Sequence, residues 1–330
     1  MSLRVGLVFD RFGDAAPPPD APPDWDAEYE PEATVAALEA AVRALGHRPV
    51  RVGSARALLR AMGEGLPDLD AAVTIAESYG SRNREAHAPV LLELAGVPCL
   101  GSDALTLSVS LDKALTKTLA RAAAVPTPDW RVVASAAEIG EADLPPFPVF
   151  AKPRYEGTAK GIALSSRCDD ADALRAEVGR QVRLYRQDVL VERFVEGSEF
   201  TVAVVGNPGE ALPAMQRATE RRTGIGLHAL ERYDDPSAPF DYDLGALDAD
   251  LEARLHDLSL RVYDALECLD FARLDFRVDP GGEPWFIEIN PLPTFAPDGT
   301  FAIIADLAGQ AYPDFLAGVL GRGLRRLGVG

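Results

Sequence analysis

Apolar and polar positions follow two different periods along this chain, and each switch between them marks an element. Residues 3–9 (LRVGLVF) form an almost unbroken apolar run that predicts a buried strand. A polar, proline-rich segment follows from Asp10 to Trp25. Over residues 32–45, Val35, Leu38, Val42 and Leu45 recur at helical spacing, and Gly46 closes the helix. HRPVRV (47–52) and DAAVTI (70–75) read as strands, and 85–95 (EAHAPVLLELA) as a helix stopped by Gly96. Strands alternating with helices across short turns predict a parallel α/β layer, and the first domain is expected to end near residue 101.

The pattern then changes. A helix is predicted over 108–124, ended by VPTP, with strands near 148–152, 161–165 and 189–195 and a helix near 170–184. After EFTVAVVG (199–206) come a long polar excursion (216–245), a helix (247–268) and a hairpin (271–290). This is α+β material in two lobes, expected over 102–190 and 191–330. There are no internal repeats, and PPPDAPPD (17–24) reads as a surface loop.

Composition narrows the function classes. At 330 residues with 47% apolar and 25% charged positions, two or three ordinary globular domains are expected. A formal charge of −18 argues against nucleic acid as a partner, because phosphate backbones are bound by basic surfaces. No stretch approaches the length of a membrane span, and the N-terminus lacks the apolar core of a signal peptide. Three well-separated cysteines, Cys99, Cys168 and Cys268, fit neither a disulfide framework nor a zinc site, so a cytoplasmic location is expected. Only four basic residues are lysines, against 29 arginines: Lys113, Lys117, Lys152 and Lys160. Their clustering fits compact charges aimed at phosphate oxygens, and equally chance plus two solvated helix lysines.

Three segments carry candidate chemistry. In the hairpin FARLDFRVDPGGEPWFIEIN, alternation puts Ala272, Leu274, Phe276 and Val278 on one face and Arg273, Asp275 and Arg277 on the other. If residue 278 pairs with 283, Asp275 lies diagonal to Glu288, and both share a face with Asn290 and Arg273. Trp285, Ile287 and Ile289 then point into the core. Two carboxylates and an amide oxygen suit Mg²⁺ bound together with phosphates. The same face is equally an ordinary solvated surface with Arg–carboxylate pairs. In AKPRYEGTAKGI (151–162), Lys152 ends an apolar strand, and a loop containing Gly157, Thr158 and Gly161 offers backbone N–H groups to phosphate oxygens. A plain glycine turn accounts for that loop as well. In VLVERFVEGSEFTV (189–202), Glu192 ends one strand and Glu199 begins the next, a linker that could meet a purine and a ribose.

Taken in order, SLDKALTK (110–117), AKPRYEGTAKG (151–161), ERFVEGSEFTV (192–202), ARLDFRVD (272–279) and EINPLP (288–293) resemble the ATP-grasp carboxylate–amine ligases. The nearest likeness is to the D-alanine–D-alanine ligase family, and it includes AEYEPEATVAALEAAVRALG and LLELAGVPCLGSD. The resemblance implies an ATP-grasp fold behind an N-terminal parallel α/β domain. It also implies that Lys113 and Lys152 touch ATP phosphates while the loop from Glu156 through Gly157 to Gly161 closes over them. Glu192 and the backbone of Phe194 and Val195 would meet adenine, and Glu199 the ribose. Asp275, Glu288 and Asn290 would hold two Mg²⁺ ions, with Mn²⁺ as a substitute, and Arg273 would stabilise the charged intermediate. Glu28 would meet the first substrate's ammonium, and Thr158 would act with a loop tyrosine. The best match for the family's Lys-Tyr pair is Arg232-Tyr233.

The implied reaction activates a carboxylate as an acyl phosphate that an amine then attacks, within a site that excludes water. Amino-acid substrates, a homodimer and a role in peptidoglycan synthesis belong to the same resemblance. The chain departs from the pattern after EINPLP, where Thr294, Phe295 and Asp298-Gly299-Thr300 replace the expected glycine and serine. Two alternatives stay open: a ligase for a different amino acid, hydroxy acid or peptide, and a nucleotide-binding protein without ligase activity.

Overall fold

The computed structural model describes residues 2–65, 68–140, 144–226, 242–243 and 245–329. The first apolar run is β1 (Arg4–Phe9), flanked by β2 (Arg48–Gly53) and β3 (Ala71–Ile75), with β4 (Cys99–Leu100) beyond β3. All pairings are parallel. β3 is buried along its whole length, as a strand covered on both faces should be. On one face lies α1 (Glu32–Ala44), whose Val35, Leu38 and Val42 meet Val5, Leu7 and Val73. On the other lie α2 (Ala55–Glu64) and α3 (His87–Leu94). The sequence pattern did not announce α2; Ser54 starts it by accepting a hydrogen bond from the Ala57 N–H.

The single helix expected over 108–124 is two, α4 (Ala104–Leu111) and α5 (Lys113–Ala122). Asp112 between them leaves helical geometry and accepts from the Ala114 and Leu115 N–H groups. Arg154 fixes the same carboxylate with two hydrogen bonds of 2.8 and 2.7 Å. The break puts Lys113 at the head of a helix, where its buried ammonium turns toward the Glu156 carbonyl and Glu288.

A second sheet of order β5-β8-β6-β7 comprises β5 (Trp130–Val133), β6 (Val149–Pro153), β7 (Arg167–Cys168) and β8 (Val189–Arg193). Helix α6 (Ala171–Tyr185) covers it through Leu174 and Val178. The strand expected at 161–165 does not form. Thr158, Ala159 and Gly161 all have positive φ, which turns the chain out of extended geometry into a 3₁₀ turn at Leu164–Ser166.

The third sheet holds β9 (Ser198–Val205), β10 (Glu210–Ala211), β11 (Met215–Arg217), β14 (Phe271–Val278) and β15 (Pro284–Asn290). Strands β12 (Thr219–Glu220) and β13 (Tyr242–Asp243) pair separately. The hairpin forms, in a different register from the one expected. Val278 pairs with Pro284, and a bulge at Ile287 brings Asp275 directly opposite Glu288 and Arg273 opposite Asn290. The extra residue also swaps the inward set. Phe286 and Ile289 are core, whereas Trp285 and Ile287 are only partly buried. Helix α7 (Ala249–Ala265) packs Leu255 and Val262 on this sheet.

The chain ends in α8 (Thr300–Leu307) and α9 (Tyr312–Arg326), which share a core with α1 and the first sheet. Asp270, just before β14, ties these regions together. Its Oδ2 accepts from the Gly101 N–H at 2.9 Å, and Arg326 donates to both carboxylate oxygens at 2.7 Å. Among the described residues no helix is long and apolar enough to cross a membrane.

Asp270 is 2% exposed and has φ +65°, a conformation asparagine tolerates. Asp270→Asn should therefore cost about 3 kcal/mol through loss of the buried charge pair rather than through backbone strain. Urea unfolding of the two proteins measures the difference.

Candidate active site

Residues of the three sheets and of the loops between them line an open cavity of about 600 Å³. Its apolar end is lined by Phe150, Phe194, Ile225 and Ile287, with the two phenylalanine rings stacked at 5.9 Å. Lys152, Arg273, Asp275, Glu288 and Asn290 also line it, as do Glu28, Glu30, Thr158, Thr294 and Thr300. Residues 227–241 lie outside the described residues, so nothing places the Arg232-Tyr233 pair.

Strand β8 delivers Glu192 to the cavity wall with its carboxylate turned toward two lysines. Lys117 reaches Oε2 at 2.6 Å and Lys152 reaches Oε1 at 2.7 Å, with all three side chains at least 96% buried. Lys117 also donates to the Thr127 hydroxyl at 2.9 Å. It is therefore no solvated helix lysine: the face of α5 that carries it turns inward. Burial alone would raise the Glu192 pKa, but the two ammonium groups outweigh it and hold the carboxyl near about 2. Burial, aided by repulsion from Lys152, brings Lys117 down to about 8 despite Glu192. Lys152 is raised, since Glu192 and Glu288 more than offset its burial. One carboxylate between two ammonium groups leaves a net positive charge, presented to the cavity by Lys152. The backbone beside Glu192 is also occupied. The Phe194 N–H donates to the Pro148 carbonyl, and the Val195 carbonyl accepts from Arg277.

On the third sheet, Asp275 pairs with Arg273 at 2.9 Å and accepts from the Thr201 hydroxyl at 2.6 Å. Burial raises its pKa, and Arg273 and Arg217 reverse that and lower it. Glu288 lies 3.6 Å from the Lys113 ammonium, which also donates to the Glu156 carbonyl. The Asn290 amide oxygen accepts from the Leu292 N–H. Among the described residues no group of three or more His, Cys, Asp or Glu could hold a metal alone. Two facing carboxylates and an amide oxygen two rungs along the same hairpin do suit Mg²⁺, which leaves further positions to water and phosphate. The donor set fits the ion.

Glu199 is raised by burial, with Arg277 at 3.6 Å as the nearest compensation. Arg217, which the sequence reading missed, donates to Thr201 at 3.0 Å and to Thr300 at 2.8 Å and lines the same wall. The only sequence signal for it was its place at the polar end of a short strand. Thr294 donates to Glu30, and Asp298 lies at the exposed rim.

Glu28 holds the glycine loop. Its Oε1 accepts from the Gly157 N–H at 2.7 Å and from Arg84 at 2.8 Å, and its Oε2 from Lys160 at 3.0 Å and the same Arg84 nitrogen at 3.0 Å. Burial pushes the carboxyl up, but Arg84 and Lys160 bring it down to about 2. A side chain at position 157 would strike Glu28 Oε1, which accounts for the glycine there. Glu156 completes the set, paired with Lys160 and, at 3.5 Å, with Arg84, and accepting from Gln187 at 2.7 Å. Thr158 has φ +49° and lines the cavity. Neither Arg84 nor the burial of Lys160 was legible in the sequence, because both depend on contact between distant segments.

Comparisons with known proteins bear on this geometry. The family model described as the D-ala D-ala ligase C-terminus matches residues 119–321. An uncharacterized protein of Sinorhizobium fredii is 31% identical over 326 residues, covering 97% of this chain and 94% of its own length. The D-alanine–D-alanine ligase of Aquifex aeolicus is 29% identical over 258 residues, covering 78% of this chain and 83% of that protein. In fold, the chain is similar to the Bacillus anthracis D-alanine–D-alanine ligase complexed with ATP, with a TM-score of 0.71 at 21% identity over 98% of each chain. It is likewise similar to the VanG D-Ala:D-Ser ligase of Enterococcus faecalis, with a TM-score of 0.72 at 17% identity over 98% of this chain and 99% of that one.

Removing the charge of Glu192 would leave two buried ammonium groups facing each other. Glu192→Gln should cost about 3–5 kcal/mol at neutral pH. The folded carboxyl titrates near about 2 against 4.5 for a free one, so its stabilisation is complete above pH 4.5 and is lost as pH falls toward 2. Urea melts across that window should show wild type losing more stability than the variant.

Proposed function

Because the chain belongs to the D-alanine–D-alanine ligase family of ATP-grasp enzymes, we propose that it joins an amino-acid carboxylate to an amine at the expense of ATP, as a D-alanine–D-alanine ligase or a close relative. The observation that carries this reading is that Asp275, Glu288 and Asn290 line one cavity together with Lys152. That arrangement offers a triphosphate both a hard oxygen site and fixed positive charge. ATP use is supported by the similarly folded ligase from Bacillus anthracis, whose structure is complexed with ATP.

Each residue then has a task. The stacked Phe150 and Phe194, with Ile287, offer adenine an apolar slot, and Glu199 lies where ribose hydroxyls can donate to it. Glu192 acts through the lysines: it keeps Lys152 charged and aimed, which is what a phosphate oxygen needs from a buried ammonium. Lys113 and the Glu156–Gly161 loop bound the phosphates from the opposite side. Asp275, Glu288 and Asn290 would hold Mg²⁺, two ions with Mn²⁺ as substitute, and that ion supplies neutralisation of phosphate charge. Arg273, held by Asp275, is oriented to meet the oxyanion that develops when the amine attacks the acyl carbon. The division into domains over 1–101, 102–190 and 191–330, a homodimer, a cytoplasmic location and a part in peptidoglycan synthesis belong to the same reading.

A ligase for a different amino or hydroxy acid remains a second reading. It is favoured by Glu28, whose carboxylate is fully engaged by Arg84, Lys160 and the Gly157 N–H. Phosphate release from ATP and Mg²⁺, measured over a panel of D- and L-amino acids and D-hydroxy acids, separates the readings. Release with D-alanine alone supports the first, and no release with any acid removes both. In the active enzyme, Glu288→Gln should lower turnover on the order of 10²-fold or more while the thermal midpoint stays close to wild type. Near-normal turnover in that variant would remove the metal assignment.

A further inference from the structure

The polar, proline-rich segment between β1 and α1 runs out from the first sheet and returns to it. Its ends are tied together, because the Phe12 N–H donates to the Glu30 carbonyl and the Glu30 N–H to the Asp10 carbonyl. Five prolines, at 17–19, 22 and 23, fix backbone angles between those points. Successive turns add hydrogen bonds from the Ala21 N–H to Pro18, the Trp25 N–H to Pro22 and the Ala27 N–H to Asp24. Trp25 is 9% exposed and packs edge-on against Tyr29 and Tyr79, with ring centroids 5.2 and 5.8 Å apart. The segment is therefore stiff without any ligand.

What it touches is the exit of the glycine loop. Asp24 Oδ2 accepts from the Gly161 N–H at 3.0 Å and from the Tyr185 hydroxyl, at the end of α6, at 2.7 Å. Arg180 donates to the Gly161 carbonyl at 2.6 Å, so both backbone groups of that residue are held. Gly161 has φ +76°, and a side chain there would strike Pro153 and the Tyr185 ring. At the loop's entry, Glu28 of the same segment accepts from the Gly157 N–H. One stiff segment thus grips the loop at both ends. Between the grips, Thr158 has φ +49° and Ala159 φ +57°, a region that a β-branched residue rarely enters. Such conformations persist where their surroundings impose them. Thr158 and Ala159 are also the members of the Glu156–Gly161 loop that line the main cavity.

We propose that Asp24 is a positioning residue for the phosphate-facing loop: by holding Gly161 it keeps Thr158 and Ala159 turned to the cavity before ATP arrives. This rests on the ATP-dependent reading above and deepens it, since the loop is ordered by the fold instead of by the nucleotide, and ATP binds the more tightly for it. Both bonds land on the one oxygen, Oδ2, so an amide oxygen in its place can accept both. The role needs an acceptor more than a charge.

The test measures amide hydrogen exchange over residues 155–162 in ligand-free wild type, Asp24→Ala and Asp24→Asn. Each protein is also titrated calorimetrically with Mg²⁺ and a non-hydrolysable ATP analogue, the β,γ-imido form. Asp24→Ala should speed exchange about 10-fold and weaken nucleotide binding by a similar factor, as expected for one hydrogen bond to a charged acceptor. Asp24→Asn should stay within about threefold of wild type on both, because only the charge assistance is lost. In turnover, Asp24→Ala should raise KM for ATP and leave kcat at saturating ATP close to wild type, a split that general destabilisation does not produce. Unchanged nucleotide affinity in Asp24→Ala overturns the proposal, whether or not exchange speeds up. A loss in Asp24→Asn as large as in Asp24→Ala overturns it too. Should Asp24→Ala fail to fold, Tyr185→Phe takes one donor from Asp24 and should weaken nucleotide binding about threefold; unchanged affinity there overturns the proposal equally. Wild type that binds the analogue yet releases no phosphate with any amino or hydroxy acid removes the ligase reading alone, and exchange and titration still decide the role of Asp24.

Discussion

A carboxylate or ammonium taken out of water must meet an opposite charge or give up its own, and that constraint organises the whole cavity. Glu192 sits between Lys117 and Lys152, Asp275 faces Arg273, and Glu28 and Glu156 share Arg84 and Lys160. The first and last sets join distant parts of the chain, whereas Arg273 and Asp275 stand two residues apart on β14. The charges thus position the walls of the cavity as well as preparing its chemistry. Lys152 illustrates the point: unpaired, its burial would favour the neutral amine, and beside Glu192 and Glu288 it stays charged. The orientation of the phosphate-facing ammonium is a by-product of the pairing that makes its burial tolerable.

The parts of this arrangement legible in the sequence were those with a local period. Alternation along 271–290 revealed the hairpin, and its acidic face was readable because Asp275, Glu288 and Asn290 stand on one side both in the expected register and in the bulged one. The true register was not readable, because the bulge at Ile287 adds a residue without disturbing the composition. Asp112 broke a helix that looked continuous, since the helical period runs on through 108–124 while the cap depends on a side chain. Positive φ at Thr158 and Ala159 likewise left no trace in the hydrophobic pattern.

Charge clusters were legible only as inventories. The confinement of all four lysines to one window singled out a stretch of chain, and the burial of Lys117 and Lys160 turned on partners far away in the chain. Family resemblance located Glu28 and could not say what surrounds it. Arg84 and Arg217 escaped notice for the same reason, as each acquires meaning from a neighbour more than 15 positions distant or from the cavity itself. Local pattern sets elements, and tertiary contact sets which charges face one another.

The Glu28–Arg84–Glu156–Lys160 set also bears on how such a protein can diverge. Two acids and two bases form a closed group with nothing left over, drawn from three separate stretches of chain. A change at any one member strands a buried partner, so single replacements are filtered out and compensated pairs survive. Across relatives, Arg84 and Lys160 should therefore appear or vanish together, with Gly157 retained wherever an acid occupies position 28. Inheritance at these sites is linked by electrostatics, and substrate preference at this corner of the cavity would change by jumps rather than by drift.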